Sequence, residues 1–160
     1  MPPITIYTDG SNLEKNPGPG GWGAIIIGTK NGKPLHKHIS GFVPDPTTTN
    51  NQMELTAILK ALLEIRNPEI AEVIVHSDSQ WAINAVSNPT WTIKKNVELV
   101  NEIKNLIKKF KSVEFQWIKG HCKNIHNETA DSLAKLATKH KEPHRREYID
   151  SFSFDPNLPQ

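Results

Sequence analysis

Cysteine is almost absent from this 160-residue chain. The single thiol, Cys122, can close no intrachain disulfide and is too little for a cysteine-based zinc site, which excludes a disulfide scaffold and a zinc ribbon. Long hydrophobic runs are missing too. The longest uninterrupted apolar stretch covers residues 24–27, far below the roughly 18 residues that would suggest a membrane span. The first residues, Met1-Pro2-Pro3-Ile4-Thr5, carry neither the basic cluster nor the apolar stretch of a secretory signal, so a cytoplasmic protein without membrane association is expected. Neither sign of charge dominates: nineteen Lys and Arg against seventeen Asp and Glu leave +2, which alone does not indicate a nucleic-acid partner. What remains, 36% hydrophobic and 22% charged residues, is the make-up of one globular domain with a single core.

Residues 4–8, 22–27 and 34–42 are apolar or alternating runs between turn residues, and predict three strands joined as a meander. From Asn50 the period changes. Leu55, Ile58, Leu59 and Leu62 form the stripe of an amphipathic helix ending near Asn67-Pro68. A short strand at residues 73–76 leads through Ser77-Asp78-Ser79 into a second helix, closed by Asn88-Pro89. Val97, Val100, Ile103, Leu106 and Ile107 mark a third helix, residues 113–118 a fifth strand, and Ala130, Leu133, Ala134 and Ala137 a last helix from about 127 to 140. The fold class expected is α/β, a five-stranded mixed sheet flanked by helices. After Lys141 breaker residues appear without periodicity, so a catalytic domain over 1–140 and a tail over 141–160 are expected.

Four carboxylates stand at strand ends or in helices where they can converge on one edge of the sheet: Asp9, Glu54, Asp78 and Asp131. Singly, each has an ordinary use, Asp9 in a turn and Asp78 beside a helix cap. Clustered, they would repel and raise one another's pKa unless hard divalent cations such as Mg²⁺ compensated. Two ions about 4 Å apart suit in-line displacement at phosphorus, so phosphodiester cleavage is the implied reaction class. His121 stands in a loop ten residues before Asp131 and can shuttle a proton or assist product release. Other motifs are read conservatively. Gly18-Pro19-Gly20-Gly21-Trp22-Gly23 matches a dinucleotide fingerprint, but a strand follows instead of a helix, so it is read as a tight turn into that strand. His36 and His38 are expected on an exposed strand face, Trp81 and Trp91 in the core, Asn50 as a helix cap, and Cys122 as an inert loop thiol.

The segments around the acids carry a resemblance. Thr8-Asp9-Gly10-Ser11, then Asn16-Pro17-Gly18-Pro19-Gly20-Gly21-Trp22-Gly23, then Thr49-Asn50-Asn51-Gln52-Met53-Glu54, then Ser77-Asp78-Ser79-Gln80, and finally Lys119-Gly120-His121 with Asn127-Glu128 before Ala130-Asp131 together resemble type 1 ribonuclease H. The likeness runs from about residue 4 to about residue 140. It implies a ribonuclease H-like fold and cleavage of the RNA strand of RNA/DNA hybrids to 5′-phosphate and 3′-hydroxyl ends. Asp9, Glu54, Asp78 and Asp131 are then ligands for two Mg²⁺ ions, with Mn²⁺ as a substitute, and His121 is the mobile histidine. Gly10, Ser11, Asn16, Asn50, Asn51 and Gln80 face the substrate, the amides reading 2′-hydroxyls, and Thr49 lies near a DNA-strand phosphate. A monomer is expected. One departure stands out: the long basic insertion of many bacterial members is replaced by residues 87–96, and positive charge gathers instead at Lys135, Lys139, Lys141, Arg145 and Arg146, which are expected to contact phosphates. The presence of all four acids disfavours a hybrid-binding module without chemistry, and the Asn50-Asn51 and Gln80 set disfavours a DNA-cutting relative.

Overall fold

Strands and helices follow one another closely as the periodicities predict. In the computed structural model, which describes residues 2–12, 15–120 and 123–150, the chain runs β1 (Ile4–Ser11), β2 (Gly20–Lys30), β3 (Lys33–Val43), α1 (Asn50–Leu63), a 3-10 turn (Pro68–Ile70), β4 (Glu72–Ser77), α2 (Gln80–Ser87), α3 (Val97–Ile107), β5 (Ser112–Trp117), α4 (Ile125–His140) and β6 (His144–Ile149). One mixed sheet orders them β5-β4-β1-β2-β3-β6. β4 is parallel to β1 and β5, while β1–β2, β2–β3 and β3–β6 are antiparallel.

Six strands stand where five are expected. The sixth falls in the segment read as a tail, and it escaped notice because His144-Arg145-Arg146-Glu147-Tyr148-Ile149 lacks apolar alternation. An edge strand needs none, since most of its side chains stay in water. Beyond its ladder to β3, β6 is tied to α1's end by Arg145, whose guanidinium donates to both oxygens of Glu64 at 2.6 and 2.8 Å.

Successive side chains of a strand point to opposite faces, and α1 and α4 exploit opposite parities of the central strands. A Cβ on Gly10 would meet the backbone of Met53 and Glu54 in α1; one on Gly23, paired with Asp9 across the β1–β2 ladder, would meet the Ala130 carbonyl of α4. Gly20, Gly21 and Gly23 therefore serve close helix approach, while Gly18 lies in the bend before β2, where a Cβ would meet the Lys15 carbonyl. Among the described residues only Gly32, in the β2–β3 turn, is a glycine with positive φ. On the α1 face, Ile6, Ile26, Val73 and Val75 pack against Leu55, Ile58 and Leu62. α1 is buried nearly all round, because α2 and α3 cover the side away from the sheet. Truncating Leu55 or Ile58 to Ala would cost about 2–5 kcal/mol. Thr49 caps α1, its Oγ1 accepting from the Gln52 N–H at 3.2 Å, so Asn50 is the first helical residue and not the cap.

The α4 face holds a layer of aromatic rings. His36 is only 6% exposed, against the expected exposed position, because β6 and α4 cover it: its ring stacks on Tyr148 at 5.0 Å and lies 5.9 Å from His126. Tyr7 stacks on His76 at 4.5 Å and also meets His126 at 5.0 Å. His38 completes the layer, with Tyr148 at its edge.

Candidate active site

The carboxylates gather at the end of β1 where β2, β4, α1 and α4 meet. Asp9 Oδ1 accepts from the Gly10 N–H at 2.9 Å, and the same N–H reaches Glu54 Oε1 at 3.2 Å. The missing side chain at Gly10 lets α1 approach this closely. Asp78 follows β4, one residue before Ser79, whose Oγ caps α2 by accepting from Ala82 N at 3.1 Å. Its backbone carbonyl accepts from the Trp117 indole N–H at 3.1 Å. Asp131, on α4, pairs with Lys135 one turn later at 2.8 Å.

Burial makes this cluster electrostatically costly. Asp9 and Glu54 are 5% and 4% exposed. Burial, with the charges of Asp78 and Asp131, pushes the Asp9 carboxyl up to about 8, while its hydrogen bond with Glu54 pulls the other way. Glu54 is raised well above the usual range, first by burial and then by the charge of Asp9. One oxygen each from Asp9, Glu54 and Asp78 lie within 4.8 Å of one another. Glu54 Oε2 is buried with no hydrogen-bond partner among the described residues. Crowded oxygen donors, a disfavoured ionised state and an orphaned lone pair together fit a hard divalent cation.

The cluster lines a polar cavity of about 450 Å³ shared with Asp131 and Lys135. A neighbouring cavity of about 510 Å³ holds Asn16, Thr49 and Asn51 opposite Trp91, Lys94 and Lys95. Asn50 lines both. The RNase H family model matches residues 1–139.

The chain belongs to the ribonuclease H family. It is accordingly a nuclease of the hydrolase class. The Ribonuclease H of Chlorobium chlorochromatii is 38% identical over 148 residues, covering 85% of this chain and 95% of that protein. The Ribonuclease H of a Caulobacter species is 39% identical over 148 residues, covering 84% and 89%. Among solved structures, a type 1 RNase H with the type 2 active-site motif superimposes with a TM-score of 0.76 at 22% identity, over 94% of this chain and 80% of that one, and so supports the fold.

Within this ribonuclease H-family site, Asp9, Glu54, Asp78 and Asp131 come together, with Gly10 and Ser11 on the same cavity wall. Asn16 accepts from the Asn50 N–H through Oδ1 at 3.1 Å, which draws the loop before β2 to the start of α1. Gln80 stands exposed at the first position of α2. His121 lies outside the described residues, as does Cys122. One reading needs correction. Trp91 is 40% exposed and faces the second cavity, because the segment between α2 and α3 has no regular structure to bury it. Trp81 packs against the core and lines the same cavity. Of the cations expected to contact phosphates, Lys135 is paired with Asp131, Arg145 with Glu64, and Arg146 lies over the Tyr148 ring at 4.7 Å. Sequence reasoning missed Trp117 in the site, and read Lys135 as a phosphate contact without its pairing to Asp131. The i,i+4 spacing of Asp131 and Lys135 was a readable signal for the second; the first depends on strand register, where Trp117 pairs with Ser77.

Proposed function

We propose that this chain is an endoribonuclease that hydrolyses the RNA strand of RNA/DNA hybrids and leaves 5′-phosphate and 3′-hydroxyl ends. The observation that carries the reading is the crowding of Asp9, Glu54 and Asp78 within 4.8 Å in a chain of the ribonuclease H family. With Asp131 they hold two Mg²⁺ ions, Mn²⁺ serving as a substitute. Such ions, when bound, lower the pKa of a water and stabilise the charge that develops on the leaving 3′-oxygen. Burial raises the pKa of both Asp9 and Glu54, an effect that the charge of bound ions would offset, and Lys135 balances the charge of Asp131. His121 handles a proton or helps the product leave.

Substrate choice rests on neutral groups. The side-chain amides of Asn16, Asn50 and Asn51 both donate and accept, which suits 2′-hydroxyls across a wide minor groove, and Gln80, Gly10 and Ser11 extend that surface. Thr49 Oγ1 accepts from Gln52 N and keeps its O–H to donate to a DNA-strand phosphate. Lys94 and Lys95, beside the exposed Trp91 ring, supply positive charge in place of the absent basic insertion. The enzyme acts as a cytoplasmic monomer; among the described residues no helix is long and apolar enough to cross a membrane. The test is incubation with labelled RNA/DNA hybrid, RNA duplex and DNA duplex, with and without Mg²⁺. Cleavage confined to the RNA of the hybrid and dependent on the metal is expected. Equal cutting of DNA duplex, or cutting of hybrid in excess chelator, would overturn the reading.

A further inference from the structure

Asn12 follows directly on β1, and its side chain is committed to backbone. The amide Nδ2 donates to the Gly18 carbonyl at 2.7 Å and to the Thr48 carbonyl at 3.2 Å, with a longer approach to the Pro19 carbonyl at 3.5 Å. Its Oδ1 is buried and has no hydrogen-bond partner among the described residues. A flipped amide would set that oxygen against the same carbonyls, so the surroundings fix its orientation. A buried oxygen without a donor is costly, and what holds this arrangement is the pair of N–H bonds. A Cβ on Gly20 would lie 3.0 Å from Nδ2, so the bare backbone at the start of β2 leaves the amide its place.

The two carbonyls belong to segments far apart in sequence. Gly18 lies just beyond Asn16, and the fully buried Thr48 precedes the α1 cap Thr49, which Asn50 and Asn51 follow. These segments also meet directly: the Gly18 N–H donates to the Thr48 carbonyl at 2.8 Å, and the Asn50 N–H to Asn16 Oδ1 at 3.1 Å. Asn12 adds what those bonds do not, a link from both segments to the end of β1, the strand that carries Asp9. Asn12 and Asn50 line the cavity of the carboxylates, while Asn16, Asn50 and Asn51 line its neighbour. The acids and the amide surface are therefore held in one frame through a single side chain.

We propose that Asn12 is a positioning residue for substrate choice: through the Gly18 and Thr48 carbonyls it fixes Asn16, Asn50 and Asn51 at the distance from the carboxylates at which they engage 2′-hydroxyls. The inference rests on the hybrid-cleaving function proposed above. Without the two donors, both segments are free to shift relative to β1. Several hydroxyls must be engaged together to place one phosphate, so the loss falls on hybrid recognition and leaves the metal ligands as they are.

The test compares Asn12→Ala and the shape-matched Asn12→Leu with the unaltered chain in single-turnover cleavage. Both variants lack the donors, and both should raise the enzyme concentration at half-maximal rate on hybrid by about tenfold, with the maximal rate changed less than about twofold. Affinity for DNA duplex, and the Mg²⁺ concentration that raises the melting temperature half-way, should stay as in the unaltered chain. In a double-mutant cycle on hybrid binding, Asn12→Ala and Asn50→Ala should be non-additive, since the second removes part of what the first positions. In the unaltered chain the Asn12 side-chain NH₂ protons should exchange with solvent more slowly than those of the exposed Asn51, a measurement that needs no variant to fold. A lower melting temperature with unchanged hybrid affinity would reduce Asn12 to a stabiliser of the fold and overturn the proposal. Equal losses on hybrid and DNA duplex, additive effects in the cycle, or NH₂ exchange as fast as at Asn51 would overturn it too. Failure of the unaltered chain to cut hybrid would instead refute the proposed function, and this inference with it, before any variant is compared.

Discussion

Replacing Asp9 by Asn separates the two burdens on this residue, catalysis and stability. The substitution keeps the shape, and the amide oxygen still accepts from Gly10 N, whose distance to Asp9 Oδ1 is 2.9 Å. It removes a group whose pKa rises from an ordinary 3.8 to about 8 on folding. A raised folded-state pKa means full stability below pH 3.8 and progressive loss as pH climbs through 8. At pH 7 without metal the gap between 3.8 and 7 corresponds to a ceiling of about 4 kcal/mol, and at pH 5 to less than about 2 kcal/mol. Glu54 stays buried and carries part of this cost, so a net gain of about 2 kcal/mol is expected at pH 7, or about 4–8 °C for a chain of this size. Thermal melts in EDTA from pH 5 to 8.5 should show the variant more stable, with a gap that widens with pH. Mg²⁺ should then stabilise the unaltered chain more than the variant, and the variant should cleave no hybrid. A melting temperature below that of the unaltered chain in EDTA, or a gap independent of pH, would refute the argument that a buried, crowded carboxylate costs stability.

The central part of the fold was legible because its burial is periodic. Leu55, Ile58, Leu59 and Leu62 announce α1, although the stripe understates it: Met53, Ala57 and Ala61 are buried too, since the helix is enclosed by α2 and α3 as well as the sheet. β6 was not legible, because backbone pairing and the Arg145–Glu64 fork hold it and neither leaves a periodic apolar trace. The four acids were legible from the sequences around them, but their protonation was not. That depends on depth, and only the packing of α1 on Gly10 takes Glu54 out of water. The histidines show the same limit. His36 and His38 alternate along β3 as a solvated face would, and burial of His36 comes from Tyr148 and His126, 112 and 90 positions away in sequence.

Three further expectations follow from contacts already described. Trp117→Phe removes the donor to the Asp78 carbonyl at a half-exposed position; single-turnover cleavage should fall by roughly fivefold with little change in melting temperature, as loss of about 1 kcal/mol in a positioning hydrogen bond implies. Burial and neighbouring cationic groups hold His38 and His126 below their usual 6.5, so stability should be level above that pH and decline as pH falls through the lower folded-state values, as His36, His76, His144 and Arg146 crowd the same layer, with Asp150 a partial counterweight at 3.7 Å from His36. His126→Phe, which keeps a ring against Tyr7 and His36, should flatten that acid limb in urea denaturation between pH 4.5 and 7.5; an unchanged limb would clear the histidine layer of responsibility. The last expectation concerns the sugar. If Asn16, Asn50, Asn51 and Gln80 read consecutive 2′-hydroxyls, several must be engaged to place one scissile phosphate, and each lost hydrogen bond costs on the order of 1 kcal/mol. Substrates with one, two and four adjacent ribonucleotides should therefore be cut at rates rising by orders of magnitude, and Asn51→Ala should weaken cleavage of full hybrid more than binding to DNA duplex. Equal single-turnover rates across the series would remove the amides from sugar sensing and leave duplex shape, read through phosphates at Thr49, Lys94 and Lys95, as the source of selectivity.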